Sequence, residues 1–284
     1  MSKIMTADDR ARGRTCGFSP SLGQNPDPLA TDSRLTQFLT ETGKLSGFSW
    51  RFFTEGFKPR YEFGEFLRQC FLIGNKSLPL VGVTAFIMGM VLTIQLRPAL
   101  LSYGVESELP FVVADAIIRE IGPVITALIF AGKIGSSIGA ELGSMKVTEQ
   151  IDAMEVSGTN PFKYLVVTRV MATTTMLPLL VLLADAISLI GSFIGLNIKG
   201  VMSFQLFMSD IFQYLEFKDI FPAIIKTFFF GFCVGIVGCY KGYFSSKGTE
   251  GVGRSANSAV VVSSMLIFLV DLIAVQITDL LGFN

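Results

Sequence analysis

Five apolar runs dominate this chain of 284 residues. They lie at about 78–95, 110–143, 164–196, 220–240 and 256–277. A helix crossing the hydrocarbon core of a bilayer needs about 20 mostly apolar residues. No water reaches that core, so backbone N–H and C=O groups must pair within the segment, and a helix does this alone. The runs therefore predict an all-α integral membrane protein with five transmembrane helices. Pro123 and Pro178 fall inside the second and third runs, where they predict kinks or breaks. Half the residues are apolar and 16% are charged, against about 25% charged in an ordinary soluble domain.

The remaining composition excludes several functions. Formal net charge is zero, which gives no basic footprint for a nucleic-acid partner. There is no histidine, so the commonest general base and metal ligand is absent. Cys16, Cys70, Cys233 and Cys239 form no C-x-x-C pair, and two of them sit in an apolar run. Neither a metal site nor a disulfide framework is expected. Residues 1–45 are mostly polar, with no apolar h-region, and read as a disordered cytoplasmic tail. Asp8, Asp9, Asp27 and Asp32 argue against a transit peptide.

Residues 47–76 precede the first run. In "RYEFGEFLRQCFLIGNKS", Phe63, Phe66, Leu67, Cys70 and Phe71 repeat at helical spacing. Glu62, Glu65, Arg68 and Gln69 take the other side. With the aromatic-rich "FSWRFFTEGF" upstream, the segment predicts an amphipathic helix at the membrane interface. An ordinary helix packed on the domain is the alternative. Lys and Arg concentrate in one set of connections: Arg51, Lys58, Arg60, Arg68 and Lys76, then Lys146, Lys163 and Arg169, then Lys241, Lys247 and Arg254. The other set holds only Arg97, Lys199 and Lys218. Positive residues stay cytoplasmic, so the N-terminus is placed inside and the C-terminus outside.

The stretch "GKIGSSIGAELGSMKVTEQIDAMEVSG" has two halves. Gly135, Gly139 and Gly143 are spaced by four, which lets helix backbones approach closely in lipid. The contact is either within the monomer or across a dimer. After it, Thr148 is a candidate N-cap for a helix of about ten residues starting at Glu149, with Gly158 and Pro161 as stop signals. Glu149 and Asp152 suit its first turn. This short helix is either a solvated connection or a docking lever for a soluble partner.

Charges also lie within the apolar runs. Asp115 and Arg119 are one helical turn apart and can pair. Glu120, Asp185, Lys226 and Asp271 sit at depths where charges are rare and usually face the protein interior or a water-filled cavity. Lys226 either snorkels outward or faces substrate. Asp185 and Asp271 read as hydrogen-bonded links between helices ahead of any substrate role.

"REIGPVITALIFAGKIGSSIGAELGSMKVTEQIDAMEVSGTNP" and "GTEGVGRSANSAVVVSSMLIFLVD" resemble the two signature blocks of MlaE-type permeases of ABC phospholipid transporters. The first block of that family reads E-x-G-P-V, then a small-residue helix, then A-E-x-G-x-M-x-x-T-E-Q-x-x-A-M. The resemblance covers about residues 60–284. It implies that the short helix couples to a separate ABC ATPase subunit, with Glu149, Asp152 and Glu155 supplying charge and Ile151 and Met154 an apolar contact. It implies that the glycine-spaced helix is a packed shaft. It further implies an outward lipid cavity lined by Arg119, Glu120 and Lys226, with Met88, Leu92 and Phe111 housing acyl chains. Two cations can hold a phosphate by charge-assisted hydrogen bonds.

The implied partners are a second copy of the chain, a periplasmic MCE-domain lipid-binding protein, a small STAS-domain protein in some systems, and phospholipid. The implied setting is the bacterial inner membrane, in traffic that maintains outer-membrane lipid asymmetry; the plastid inner envelope is the alternative. The chain has no G-x-x-x-x-G-K-[ST] loop, so ATP and magnesium belong to the partner ATPase. Two rivals remain from the residues alone. The intramembrane acids would suit an ion-gradient-driven secondary transporter, although no inverted repeat is visible. A non-transporting membrane scaffold would bind the same partners without moving lipid.

Overall fold

The computed structural model describes residues 34–56, 62–198, 200, 202–215, 217–246 and 248–280. Residues 1–33 of the predicted tail, Cys16, and the cations Lys58, Arg60, Lys199 and Lys247 lie outside them. The chain divides into two units, Met1–Gly43 and Lys44–Asn284. The described part of the first is helical.

The protein is all α-helical among the described residues. The helices are α1 (Arg34–Gly56), α2 (Phe63–Ser102), α3 (Leu109–Ala116), α4 (Gly122–Phe130), α5 (Ser136–Val147), α6 (Gln150–Val156), α7 (Thr168–Asn197), α8 (Phe204–Tyr214), α9 (Phe217–Tyr243) and α10 (Thr249–Leu280). Four helical stretches are long and apolar enough to cross a membrane: Phe63–Ser102, Phe162–Asn197, Ile220–Tyr243 and Thr249–Leu280. The remaining predicted span is helical from 109 to 147. Two π-helical turns, Ile117–Ile121 and Ala131–Gly135, divide it into α3, α4 and α5. Neither Pro123 nor Pro178 breaks its helix. Pro123 occupies the start of α4, and Pro178 lies inside α7.

Two boundaries differ from the sequence reading. Residues 34–45, placed in a disordered tail, belong to α1. The predicted interfacial helix at 47–76 is two objects: it ends with α1 at Gly56, and its second part is the start of α2. The helix continues because Gly74 and Ser77 are buried, with Gly74 facing Met176 of α7. From Lys44 onward, α1 keeps amphipathic character. Phe48 is buried in an aromatic cluster, 5.1 Å from the Phe162 ring and 5.5 Å from Tyr240, while Trp50 is 73% exposed.

Small residues hold the bundle together, as expected where lipid provides no hydrophobic drive between helices. Gly89 of α2 lies against the backbone of Ser188 in α7, and Gly191 and Gly195 of α7 lie against Phe86 and Met90. Thr93 and Ser192 share a buried 2.7 Å hydrogen bond across this seam. Gly231 and Gly235 of α9 close on Thr173 of α7. α8, which the sequence reading did not foresee, begins with Ser203 accepting from Leu206 N–H and buries Phe207 and Ile211 beside Ala114.

Candidate functional site

The π turn at Ile117–Ile121 carries adjacent charged residues with different partners. Arg119 Nε lies 2.9 Å from Asp115 Oδ1, the i, i+4 pair anticipated from spacing. Glu120 reaches α9, where Lys226 Nζ donates to its Oε2 at 2.8 Å. The same amine donates to Asp271 Oδ1 of α10 at 3.0 Å. The Lys226 side chain is 5% exposed, against 18% for Asp271 and 47% for Glu120. Lys226 is thus neither snorkelling nor standing free. It joins three helical segments and is held between two carboxylates, one open to the outside.

Asp271 behaves as the interhelical link expected of it. Asp185 does not: its Oδ1 is buried against Gly122 and has no hydrogen-bond partner among the described residues. Met88, Leu92 and Phe111 are all half-buried. Leu92 packs with Leu109, Val113 and Ile117, which places it beside the helix that carries Arg119 and Glu120.

The glycine-spaced helix settles on its own chain. A Cβ at Gly135 would touch Val234 of α9. One at Gly139 would lie 3.3 Å from Ala256 Cα of α10, and one at Gly143 would meet Ser255. Ser255 Oγ also donates to the Gly139 carbonyl across this contact. The stripe is an internal seam against α9 and α10.

α6 is shorter than expected and starts differently. Thr148 does not cap it. Its hydroxyl donates back to Ser144 O, closing the end of α5. Glu149 occupies the N-cap position in the left-handed region at φ 58°, and Gly158 turns the chain out again at φ 81°. A left-handed non-glycine residue costs roughly 1–2 kcal/mol, and such strain gathers at constrained functional corners. Ile151 is 1% exposed and buried in the chain's own core, with Met154 packed partly against that core. Ile151 therefore anchors α6 and is unavailable to a partner. Glu149, Asp152 and Glu155 face outward. Asp152 accepts from Lys146 Nζ at 2.7 Å, and this bond raises the Lys146 amine above its usual pKa. Val156, missed in the sequence reading, is the exposed large apolar residue of the helix, at 91%. The helix, seven residues long, is too short for its periodicity to have marked it.

Arg169 also departs from expectation. Counted as a loop cation, it lies within α7, 4% exposed and 2.8 Å from Glu141 of α5.

The profile of the family described as Permease MlaE matches residues 66–277. A probable ABC transporter permease protein of Rickettsia typhi is 39% identical over 245 residues, covering 86% of this chain and 93% of the relative. One from Synechocystis is 35% identical over 203 residues, covering 72% and 77%. One from Porphyra purpurea is 39% identical over 194 residues, covering 68% and 73%. The matched region contains the charged cluster, the glycine seam and the exposed short helix, and the chain accordingly belongs to the MlaE permease family, as a multi-pass membrane permease of the ABC transporter class.

Proposed function

We propose that this permease moves phospholipid between inner and outer membranes as a homodimer driven by a separate ABC ATPase. The observation that carries the lipid reading is the Lys226–Glu120–Asp271 cluster: a charged group inside an apolar bundle, with one carboxylate half open to its surroundings. Such a place suits an amphipathic substrate with a polar head and apolar tails. A lipid phosphate reaches Lys226 by displacing Glu120, which returns to solvent at little cost, while Asp271 keeps its hold. Arg119, on the same turn, supplies a second cation. Met88, Leu92 and Phe111 offer apolar surface to acyl chains.

The ATPase, which binds ATP and magnesium, docks on α6. The acidic face of Glu149, Asp152 and Glu155 and the apolar Val156 are its contact, and the glycine seam carries its motion to the membrane. A periplasmic MCE-domain protein exchanges lipid with the outer side, and a STAS-domain protein completes the assembly where one is present. The permease sits in the bacterial inner membrane with its N-terminus cytoplasmic and five spans. The test is co-purification of the tagged chain with mass spectrometry of proteins and lipids, followed by ATP-dependent transfer of labelled phospholipid to acceptor vesicles. A chain that binds an ATPase but yields no phospholipid, and whose reconstituted complex moves none, would overturn the lipid reading.

A further inference from the structure

Away from that cluster, a cleft of about 300 Å³ opens between α2 and α5. Gln69, Leu72 and Lys76 line it from α2, Ser137 and Glu141 from α5. Lys76 and Glu141 both lie at an edge of their apolar runs, the level of lipid headgroups. α2 has 40 residues, about 60 Å of helix, twice the roughly 30 Å hydrocarbon core, so its first part stands outside that core. The same end of the bundle carries α6.

The charges of the cleft are arranged for a ligand with both signs. Lys76 is exposed and has no ion-pair partner among the described residues. Glu141 is 54% exposed and gives Oε1 to the buried Arg169. Its second oxygen has no partner among the described residues. Arg169, buried behind the cleft wall, holds the carboxylate in place, and the lining itself carries one positive group, Lys76, and one negative, Glu141. Leu72 and Ile73 add an apolar wall.

We propose that this cleft binds the headgroup of a phospholipid carrying a phosphate and a primary amine, drawn from the cytoplasmic leaflet. Lys76 holds the phosphate and Glu141 accepts from the ammonium. The inference rests on the lipid reading above and adds a second, inner-leaflet station to it.

The full-length chain carrying a benzophenone amino acid at Ser137 is placed in phosphatidylcholine vesicles doped equally with phosphatidylethanolamine and phosphatidylglycerol. After irradiation, attached lipid is identified by mass spectrometry. A second probe at Phe111 reports the outer cavity. The expected result at Ser137 is phosphatidylethanolamine in excess over phosphatidylglycerol. Lys76→Ala lowers attachment of both by about tenfold, the effect of one charge-assisted hydrogen bond. Glu141→Gln, which leaves an oxygen for Arg169, erases the excess and spares phosphatidylglycerol. Lipid at Phe111 but none at Ser137 overturns this site alone, and lipid at neither overturns the reading beneath it. Attachment at Ser137 that ignores both substitutions, or favours phosphatidylglycerol, also overturns the assignment.

Discussion

Replacing Lys226 by methionine removes an amine 2.8 Å from Glu120 and 3.0 Å from Asp271, on a side chain 5% exposed. At an effective dielectric of about 20, each contact has a gross Coulomb energy of about 6 kcal/mol, most of which is offset by desolvation of the amine. The outcome depends on what remains: two carboxylates in an apolar bundle without their counter-charge. Removing one partner of a buried pair costs about 3–5 kcal/mol. Here Glu120, 47% exposed, can turn away from Asp271, so the expected loss is at the lower end, about 3 kcal/mol. Asp271→Asn leaves an acceptor and the Glu120 contact, and costs about 1–2 kcal/mol. Glu120→Gln touches a half-exposed group and costs less than about 1 kcal/mol. The double change Lys226→Met with Asp271→Leu removes both deeply placed charges and recovers much of the loss, since an apolar pair of similar volume often replaces a buried ion pair without penalty. Unfolding of the detergent-solubilised protein, followed by helical signal against denaturant, measures all four. Equal costs for Glu120→Gln and Lys226→Met, or a double variant worse than Lys226→Met, would refute the assignment of Lys226 as the buried keystone of the cluster.

Other expectations concern the seams, the docking helix and the topology. Gly89→Ala should destabilise by about 1–3 kcal/mol or more, because its Cβ would lie 2.9 Å from Ser188 Cα and closer still to that carbonyl, whereas Gly253→Ala, with open space around it, should be neutral or stabilise by up to about 1 kcal/mol in the same unfolding assay. Ile151→Ala should open a cavity costing about 2–5 kcal/mol and speed hydrogen exchange across Gln150–Val156, while Val156→Asp should leave stability unchanged and weaken ATPase binding in a pull-down; identical behaviour of the two would contradict the split between anchor and contact. Cysteine placed at Ser245 should label from the cytoplasmic side and a C-terminal tag from the other, and labelling of both from one side would break the five-span topology.

The apolar runs and most of the charges inside them were legible because lipid makes the rule strict: long apolar stretches become helices, and charges within them find partners, Asp185 being the exception among the described residues. The Asp115–Arg119 pair followed from spacing alone. The partnership of Lys226 with Glu120 and Asp271 did not, because it joins residues 106 and 45 positions apart. The direction in which Ile151 faces was equally hidden. A seven-residue helix is too short for periodicity to define a face, and only the core beneath it shows that Ile151 is anchor and Val156 is exposed. The boundary drawn between 76 and 78 does not exist in the fold, because Gly74 and Ser77 are buried within one continuous helix, where small side chains become packing surface. α8 could have been found: Ser203 followed by Phe204, Phe207, Met208 and Ile211 is a cap and a helical apolar stripe.

The two π turns that bracket α4 have a consequence for how the gene can vary. Each lets the chain run one residue long relative to a plain α-helix, and each residue of α-helix turns the chain by about 100°. The turn at Ile117–Ile121 delivers Glu120 to α9, and the turn at Ala131–Gly135 delivers Gly135 and Gly139 to α9 and α10. Losing one residue from α4, between the turns, would rotate one of these ends by about 100° while the other stayed seated. An apolar substitution at the exposed Ile125 should be tolerated, because the backbone hydrogen bonds do not depend on which greasy side chain is present there, whereas Gly122 and the buried Ala127, Phe130 and Ala131 are fixed by packing. A single-residue insertion or deletion in α4 should not be tolerated. In this helix the count of residues, as well as their identity, ties the charged cluster to the seam that leads to α6.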